Sequence, residues 1–291
     1  MSTIVLLLMT GLGLGALYFL VSSGLSLIYG LMGVLNFAHG VFLTFGALIA
    51  WRLTRALNPD SWGTLVVAML VGAAAGAVVA TATELLLVRR LYRRHIEQAL
   101  VTVGLALAAV ALFEGIWGTD PIFTSAPRWL GETTSILGAH VPNNRFFLIA
   151  CALLALAAIV LFLTRTRHGL IIRAGVENRD MVTALGIDVR RSFTLVFALG
   201  GAAAGLGGVL ASLYYGYVSA QIGSTLLIYA FIVTVIGGLG SLWGAALASA
   251  LVAVVQQFAN YYAGGTGDLA VVLGLALVLL VRPRGLLGRA R

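Results

Sequence analysis

The 291-residue chain is 60% hydrophobic, contains only 10% charged residues and has a formal net charge of +8. A soluble domain usually has about 25% charged residues, so this composition excludes an ordinary soluble protein and fits one whose solvent is lipid. All 18 basic residues are arginine, and the absence of lysine excludes both a Walker A nucleotide-binding loop and a Schiff-base lysine.

Long apolar segments predict an all-α fold, a polytopic transmembrane helical bundle, because about 20 apolar residues cross a bilayer as a helix. In chain order the candidate spans are residues 4–29, 36–51, 65–88, 99–118, 146–164, 193–214, 226–240, 244–262 and 268–281. The second and the seventh are short enough to be re-entrant or broken helices. We therefore expect eight or nine spans in a single transmembrane domain, residues 1–291.

Glycines recur four residues apart within the predicted spans. The pairs are Gly11 and Gly15, Gly72 and Gly76, Gly201 and Gly205, and Gly240 and Gly244. Small residues at this spacing let membrane helices approach closely. The alternative is that glycine is simply frequent in membrane helices, and for any single pair both interpretations stay open.

The arginines lie in the gaps between apolar segments, which is typical of residues that orient a membrane protein and not of a nucleic-acid interface. If nine spans alternate, fourteen fall on one side: Arg89, Arg90, Arg93, Arg94, Arg165, Arg167, Arg173, Arg179, Arg190, Arg191, Arg282, Arg284, Arg289 and Arg291. The other side holds Arg52, Arg55, Arg128 and Arg145. The positive-inside rule then predicts an outer N-terminus and a cytoplasmic C-terminus.

The two long loops differ in character. The outer loop, residues 119–145, contains three prolines and is predicted to be irregular. The inner loop, residues 165–192, has no proline, and its apolar and charged residues predict an amphipathic helix from Arg173 to Leu185, ended by Gly186. Such a helix either docks into a groove of a partner protein or lies on the membrane interface.

Polar residues near or within the spans offer few candidates for chemistry. Asn36 is suited to cap the second span, and His39 either packs there or lines a pathway and responds to protonation. Glu84 and Glu97 flank the basic gap and are expected to reach its arginines, Glu114 is assigned to the interface, and Asp268 is expected to cap the last span. The histidines show no metal-ligand spacing and no catalytic triad is apparent, so we predict no enzyme and no metal site.

Six strings, in this order and at these spacings, carry a family resemblance. They are GLMGVLNFAHGVFLTFGA (30–47), LVTVGLALA (100–108), WGTDP (117–121), RTRHGLIIRAGVENRDMVTALGID (165–188), IVTVIGGLGSLWGA (232–245) and RPRGLLG (282–288). Together they resemble the branched-chain amino-acid ABC transporter permease family, of the shorter, first permease subunit type. The resemblance extends over essentially the whole chain.

The resemblance implies half of an importer's translocation pathway in a bacterial inner membrane, where the arginine distribution would place the N-terminus in the periplasm. It implies as partners a second permease subunit (a related chain or a second copy), two cytoplasmic ATPases that bind the ATP and magnesium, and a periplasmic solute-binding protein. No cofactor is expected in this chain. The implied solute is a branched-chain amino acid or another small polar solute such as urea, an amide or an organic acid. A stand-alone, ion-coupled secondary transporter is the alternative.

The resemblance also assigns residues. The ATPase-coupling loop would be formed by Glu177, Asn178, Arg179, Asp180, Ala184, Leu185, Gly186 and Ile187. Glu177 is followed by Asn178 and Arg179, where the common importer pattern has two alanines, whereas Ala184, Leu185, Gly186 and Ile187 fit this family's version of the loop. Asn36, Phe37, His39 and Gly40, in the string that begins at Gly30, are the candidates for the translocation pathway.

Overall fold

The computed structural model describes residues 2–33, 36–58, 60–92, 94–177, 179–184, 186 and 189–288. Within them the helices are α1 (Ser2–Met32), α2 (His39–Ala56), α3 (Trp62–Leu86), α4 (His95–Trp117), α5 (Arg128–Gly131), α6 (Asn143–Arg165), α7 (Arg167–Glu177), α8 (Arg179–Ala184), α9 (Val189–Tyr215), α10 (Ile222–Gly237), α11 (Leu242–Tyr262) and α12 (Gly267–Val281). A 3-10 turn, Val88–Leu91, follows α3, and four short strands are β1 (Ile122–Phe123), β2 (Thr133–Ile136), β3 (Ala139–Pro142) and β4 (Tyr217–Val218).

Each of the nine predicted apolar segments coincides with one helix: α1, α2, α3, α4, α6, α9, α10, α11 and α12. Among the described residues, six helices (α1, α3, α4, α6, α9 and α11) are long and apolar enough to cross a membrane. The other three fall short for physical reasons, because α10 and α12 have only 16 and 15 residues and α2 carries Arg52 and Arg55. The fold is therefore a multi-span helical bundle, and the predicted count of eight or nine crossings is not confirmed.

The helix ends define two opposite faces. At the hairpin face, the start of α1 approaches the β2–β3 turn at Gly138, and β1 pairs with β4. At the arginine-rich face, the end of α1 meets Gly240, and the C-terminal segment donates backbone hydrogen bonds from Leu286 and Leu287 to the last carbonyls of α10. The described ends of the chain thus lie on opposite faces of the bundle.

Three of the four glycine pairs lie where helices touch. A Cβ at Gly76 would stand 2.3 Å from the Gly201 carbonyl oxygen, and one at Gly205 would stand 2.3 Å from the Gly72 carbonyl oxygen. The pairs on α3 and α9 therefore pack on each other, backbone against backbone. The pair Gly11 and Gly15 on α1 lies against the α11 backbone in the same way. Gly240 and Gly244 do not share a helix, because Gly240 lies in the turn after α10. Close packing therefore accounts for the three pairs that lie within helices.

The outer loop is more ordered than predicted. Strands β2 and β3 form an antiparallel hairpin whose two turn residues, Leu137 and Gly138, have φ angles of +50° and +79°. Two consecutive positive φ values are typical of the tight turn that matches the twist of a hairpin. The side chain of Asn143 closes the loop, accepting from the Thr134 hydroxyl and donating to the Trp129 carbonyl at 2.5 and 2.9 Å. The prediction of an irregular loop was wrong because leucine is an unusual residue for this turn.

The inner loop is helical, as predicted, but with different bounds. Helix α7 begins at Arg167, six residues before the predicted start at Arg173, because the Thr166 hydroxyl accepts a hydrogen bond from the Gly169 amide at 3.0 Å and so caps it. Helix α8 is separate from α7. Gly186 has a φ of +76°, the left-handed conformation expected of a residue that ends a helix.

Candidate translocation and coupling sites

Helix α2 begins inside the bundle. His39, its first residue, is fully buried, and its Nε2 donates a hydrogen bond of 3.0 Å to the carbonyl of Val21. Val21 lies eleven residues before the end of α1, about 16 Å along the helix axis. The start of α2 therefore lies well inside the bundle relative to the end of α1. Whether the second span is re-entrant or broken stays a prediction.

The predicted pathway residues are placed around this start. Asn36 is buried, and its Oδ1 accepts from the Ala38 amide at 3.0 Å in a local turn ahead of α2. The predicted Asn36 cap was wrong, because the capping position is Ala38 and no side chain caps the first turn of α2. Phe37 packs against the Phe231 ring, and Gly40 lies against the backbone of Gly223. His39 is enclosed by α1 and by the Phe42 ring, and its Nδ1 is buried without a hydrogen-bond partner among the described residues.

A small, partly open pocket adjoins Asn36 and has room for about one water molecule. Its lining is Ile28, Met32, Asn36, Val88, Gln98, Thr102 and Phe197. Among the described residues, Asn36 Nδ2 and both amide atoms of Gln98 are buried without a hydrogen-bond partner. Leaving such a group unsatisfied costs about 1–3 kcal/mol, so the pocket is suited to a bound water.

Sequence reasoning missed Gln98 and Thr102, which stand one and two turns into α4. The sequence does contain a signal for both residues. Burying an uncharged polar side chain in an apolar span costs free energy unless the side chain finds a hydrogen-bond partner. The pocket brings these α4 residues beside Asn36, near the arginine-rich face. The pattern of α4 alone does not show which helix they face.

Two of the four carboxylates near the spans pair with the arginines that the sequence predicted for them. Glu84 pairs with Arg89 at 3.2 Å, and Glu97 pairs with Arg94 at 3.1 Å. Glu114 is in an exposed hydrogen bond with Gln221 at 2.9 Å, which suits an interface residue. Asp268 was wrongly predicted to cap the last helix, because that position belongs to Thr266.

Glu84 is the centre of a buried polar cluster that joins the end of α3 to the start of α9. Its carboxylate binds Arg89, accepts from the Thr194 hydroxyl at 2.9 Å and accepts from the Tyr92 hydroxyl. Burial, together with the hydrogen bond to Glu84, raises the pKa of Tyr92, and the hydrogen bond to Glu84 raises the pKa of Arg89. The phenol therefore stays protonated, and keeps donating, up to its ordinary pKa of about 10 and beyond.

Replacing Glu84 with glutamine is expected to destabilise the protein by about 1–3 kcal/mol, because it removes the charge that pairs with Arg89 and turns one of the two accepting oxygens into an NH2 group that faces other donors. The matched control is Glu97→Gln, which removes an exposed pair and is expected to cost less than about 1 kcal/mol. Thermal unfolding of both variants in detergent measures the difference. Equal unfolding temperatures would contradict the structural role of the cluster.

The candidate coupling segment, α7 and α8, is anchored on one side and open on the other. Helix α7 packs on α1, α6 and α9 with Ile172 buried, and α8 packs on α9 with Val182 buried. Glu177, Ala184 and Gly186 are exposed. Arg179 and Asp180 are helical, whereas Asn178, Leu185 and Ile187 lie outside the described residues. The described part thus offers a surface beside the first turns of α9.

The described residues contain no group of three or more histidine, cysteine, aspartate or glutamate side chains suited to hold a metal ion. What the geometry presents is a small polar pocket, a glycine-packed bundle and an exposed helical segment on the arginine-rich face. A profile of the family described as branched-chain amino acid transport system, permease component, matches residues 7–282. The chain belongs to this permease family.

Relatives within the permease family match along nearly the whole chain. The branched-chain amino acid permease protein LivH of Salmonella typhimurium is 29% identical, covering 96% of this chain and 94% of the relative. The permease protein BraD of Pseudomonas aeruginosa is 30% identical, with 97% and 95% covered. The permease protein LivM of Escherichia coli is 28% identical and covers 94% of this chain and 68% of LivM. The family makes this chain a multi-pass inner-membrane permease component and not an enzyme.

Proposed function

We propose that this chain forms one half of the translocation pathway of an ATP-driven importer for branched-chain amino acids or a related small polar solute. The observation that carries the proposal is the family match over residues 7–282. The names of LivH and BraD describe high-affinity branched-chain amino acid transport, and this chain aligns with both almost end to end.

The second half of the pathway is proposed to be a related permease subunit. LivH and LivM are two different permease proteins whose names describe the same transport system, and this chain resembles both. The alternative is that a second copy of this chain supplies the other half of the pathway. Two cytoplasmic ATPases would bind ATP and magnesium, and a periplasmic binding protein would deliver the solute.

The coupling site is proposed to be the segment 165–192. Its helices α7 and α8 rest on α1, α6 and α9, so a push on their exposed side is delivered directly to three long helices. The Glu84 cluster then ties the start of α9 to the end of α3. Movement of the ATPases would in this way shift the glycine-packed pair α3 and α9 as one unit.

The proposed orientation places the hairpin face in the periplasm and the arginine-rich face in the cytoplasm, with all nine apolar helices contributing to the crossing. Since Cys151 is the one cysteine of the chain, a Cys151→Ser background permits single-site labelling. With a membrane-impermeant maleimide, His140→Cys is expected to label in intact cells and Glu177→Cys only in inside-out vesicles. Both positions are exposed, His140 on the hairpin face and Glu177 on the arginine-rich face. The reverse pattern would invert the topology.

Reconstitution tests the proposal. The chain, the second permease, both ATPases and the loaded binding protein are placed in proteoliposomes with ATP on the ATPase side, and uptake of labelled L-leucine is measured. We expect uptake that requires every subunit and is competed by isoleucine and valine. Uptake of urea or an amide in place of leucine would change the solute within the proposal, and full uptake without the second permease would contradict the half-pathway role.

A further inference from the structure

Arg145, the third residue of α6, is held between three other helices near the hairpin face. Its guanidinium carbon stands 3.6 Å from the centroid of the Tyr214 ring on α9. The Tyr214 hydroxyl accepts a hydrogen bond of 3.2 Å from Gln257 on α11. On α1, a Cβ at Gly13 would stand 2.9 Å from the Cδ of Arg145, so the absence of a side chain there leaves room for the arginine stem. The direction of the guanidinium is therefore fixed by its neighbours.

The positive charge of Arg145 is not matched. Its Nε and Nη1 are buried and find no acceptor among the described residues. Within the part of the chain that the structure describes, no carboxylate lies at ion-pair distance from Arg145. The first turn of α6 contains no acidic residue, and the N-terminus of a helix favours an anion over a cation. Since an unpaired charge inside a membrane bundle is costly, such a residue points to a functional site for an anion.

The guanidinium lies at the edge of the bundle and not in a closed interior. Arg145 is half-buried, and Nη2 is not covered as Nε and Nη1 are. Tyr215, whose ring meets that of Tyr214 edge to face at 4.9 Å, is 37% exposed. An anion that arrives from the hairpin face would meet Nη2 first and would reach Nη1 when the Tyr214 ring moves aside.

The position of α9 decides how far the guanidinium is covered. Tyr214 is the next-to-last residue of this helix, and the opposite end of α9 packs on α7 and α8 of the coupling segment. A shift of α9 would therefore move the ring that covers Arg145. This arrangement connects access to Arg145 with the segment on which the ATPases are proposed to act.

We propose that Arg145 binds the carboxylate of the transported solute. The inference rests on the proposed function, because an amino acid or another organic acid carries this group. A carboxylate supplies the acceptor that the guanidinium lacks, in the two-pronged geometry that arginine favours. The rings of Tyr214 and Tyr215 offer apolar surface to a short aliphatic side chain. Arg145 fixes the carboxylate alone and requires nothing of the ammonium.

The test uses the complete membrane complex in nanodiscs, without the binding protein. Its thermal stability is titrated with L-leucine, with 4-methylpentanoate (which lacks the ammonium) and with L-leucinol (which lacks the carboxylate). Each titration is made with and without a non-hydrolysable ATP analogue, because the position of α9 controls the cover of Arg145. In at least one of these two states, leucine and 4-methylpentanoate are expected to stabilise the complex at similar concentrations. Leucinol is expected to bind at least about tenfold more weakly, as loss of a charge-assisted hydrogen bond predicts.

The variants change Arg145 alone. Arg145→Met keeps a stem that packs on Gly13 and Tyr214 but removes the donors, so it is expected to bind leucine about tenfold more weakly and no better than leucinol. Arg145→Lys keeps a point charge without the planar fork and is expected to retain part of the preference for leucine. The matched control is Arg128→Met, which removes an exposed arginine of the same face and is expected to bind leucine as the unaltered complex does. Membrane abundance and basal ATP hydrolysis show whether each variant has folded.

A preference for leucine over leucinol that survives Arg145→Met overturns the inference, and so does a complex that leucine stabilises in neither nucleotide state. Unchanged leucine binding by Arg145→Met, together with weaker docking of the binding protein, also overturns it and assigns the arginine to that partner. None of these results bears on the proposed function, because ATP-driven leucine uptake by the unaltered protein decides that separately. Absence of that uptake, with carboxylate binding intact, would remove the transport assignment and leave the binding site.

Discussion

Replacing Gly76 with leucine is expected to prevent α3 and α9 from packing. A Cβ at this position would lie 2.3 Å from the Gly201 carbonyl oxygen and 2.9 Å from the Gly205 Cα. Overpacking usually costs about 1–3 kcal/mol when side chains can shift, and here the obstructing atoms are backbone, so we expect more than about 3 kcal/mol. The measurement is the amount of folded protein in the membrane, by fluorescence-detected size exclusion.

The matched control for that change is Gly104→Leu. Position 104 is also a glycine within a long apolar helix, but a Cβ there meets nothing within 4 Å. Its effect on stability is expected to stay within about 0.5 kcal/mol, as for substitutions away from contacts. If both leucine variants accumulate equally, the glycine pairs are not what holds α3 to α9.

Replacing Gly186 with glutamate is expected to abolish coupled transport while leaving the protein in the membrane. Gly186 is exposed, with a φ of +76°, and a Cβ added there would meet no atom within 4 Å, so the change affects the end of α8 and not the core. A β-carbon in this conformation costs about 1–2 kcal/mol, and the added charge would lie on the surface proposed to meet an ATPase. ATP-driven uptake of leucine is expected to fall at least about tenfold.

Two controls separate conformation from contact. Gly186→Asn keeps a residue that tolerates the left-handed conformation and is expected to retain most uptake. Gly264→Glu places the same charge at another exposed glycine of positive φ (+59°), in the α11–α12 connection and away from the coupling segment. This variant is expected to keep leucine uptake coupled to ATP hydrolysis. Normal uptake with Gly186→Glu would rule out this segment as the coupling site.

Local patterns in the sequence predicted the helices well. Each of the nine apolar segments became a helix, and three of the four glycine pairs lie at the helix contacts, because both features depend on residues close together in the chain. The span count was harder to predict. Helices of 15 and 16 residues lie near the length limit for crossing, so hydropathy alone does not decide whether α10 and α12 cross by themselves.

Features that depend on distant partners were missed or misassigned. Asp268 has the pattern of a helix cap, but it binds Tyr229 and Gln256 on two other helices. Arg145 has the pattern of a topology residue, although it stacks on Tyr214, 69 positions along the chain. Gln98 faces Asn36 only because α2 begins deep in the bundle. A local pattern identifies a polar residue, but the packing of helices decides which partner it meets.

The central claim is that this permease is powered by other subunits, and the energy source of uptake tests it most directly. Initial rates of labelled L-leucine uptake are compared in proteoliposomes containing the complete complex, with ATP, with a protonophore, and with ATPase subunits whose Walker A lysine is replaced by alanine. The account predicts uptake that persists with the protonophore and disappears with the altered ATPases. Uptake by this chain alone, driven by an ion gradient without ATP, would contradict it.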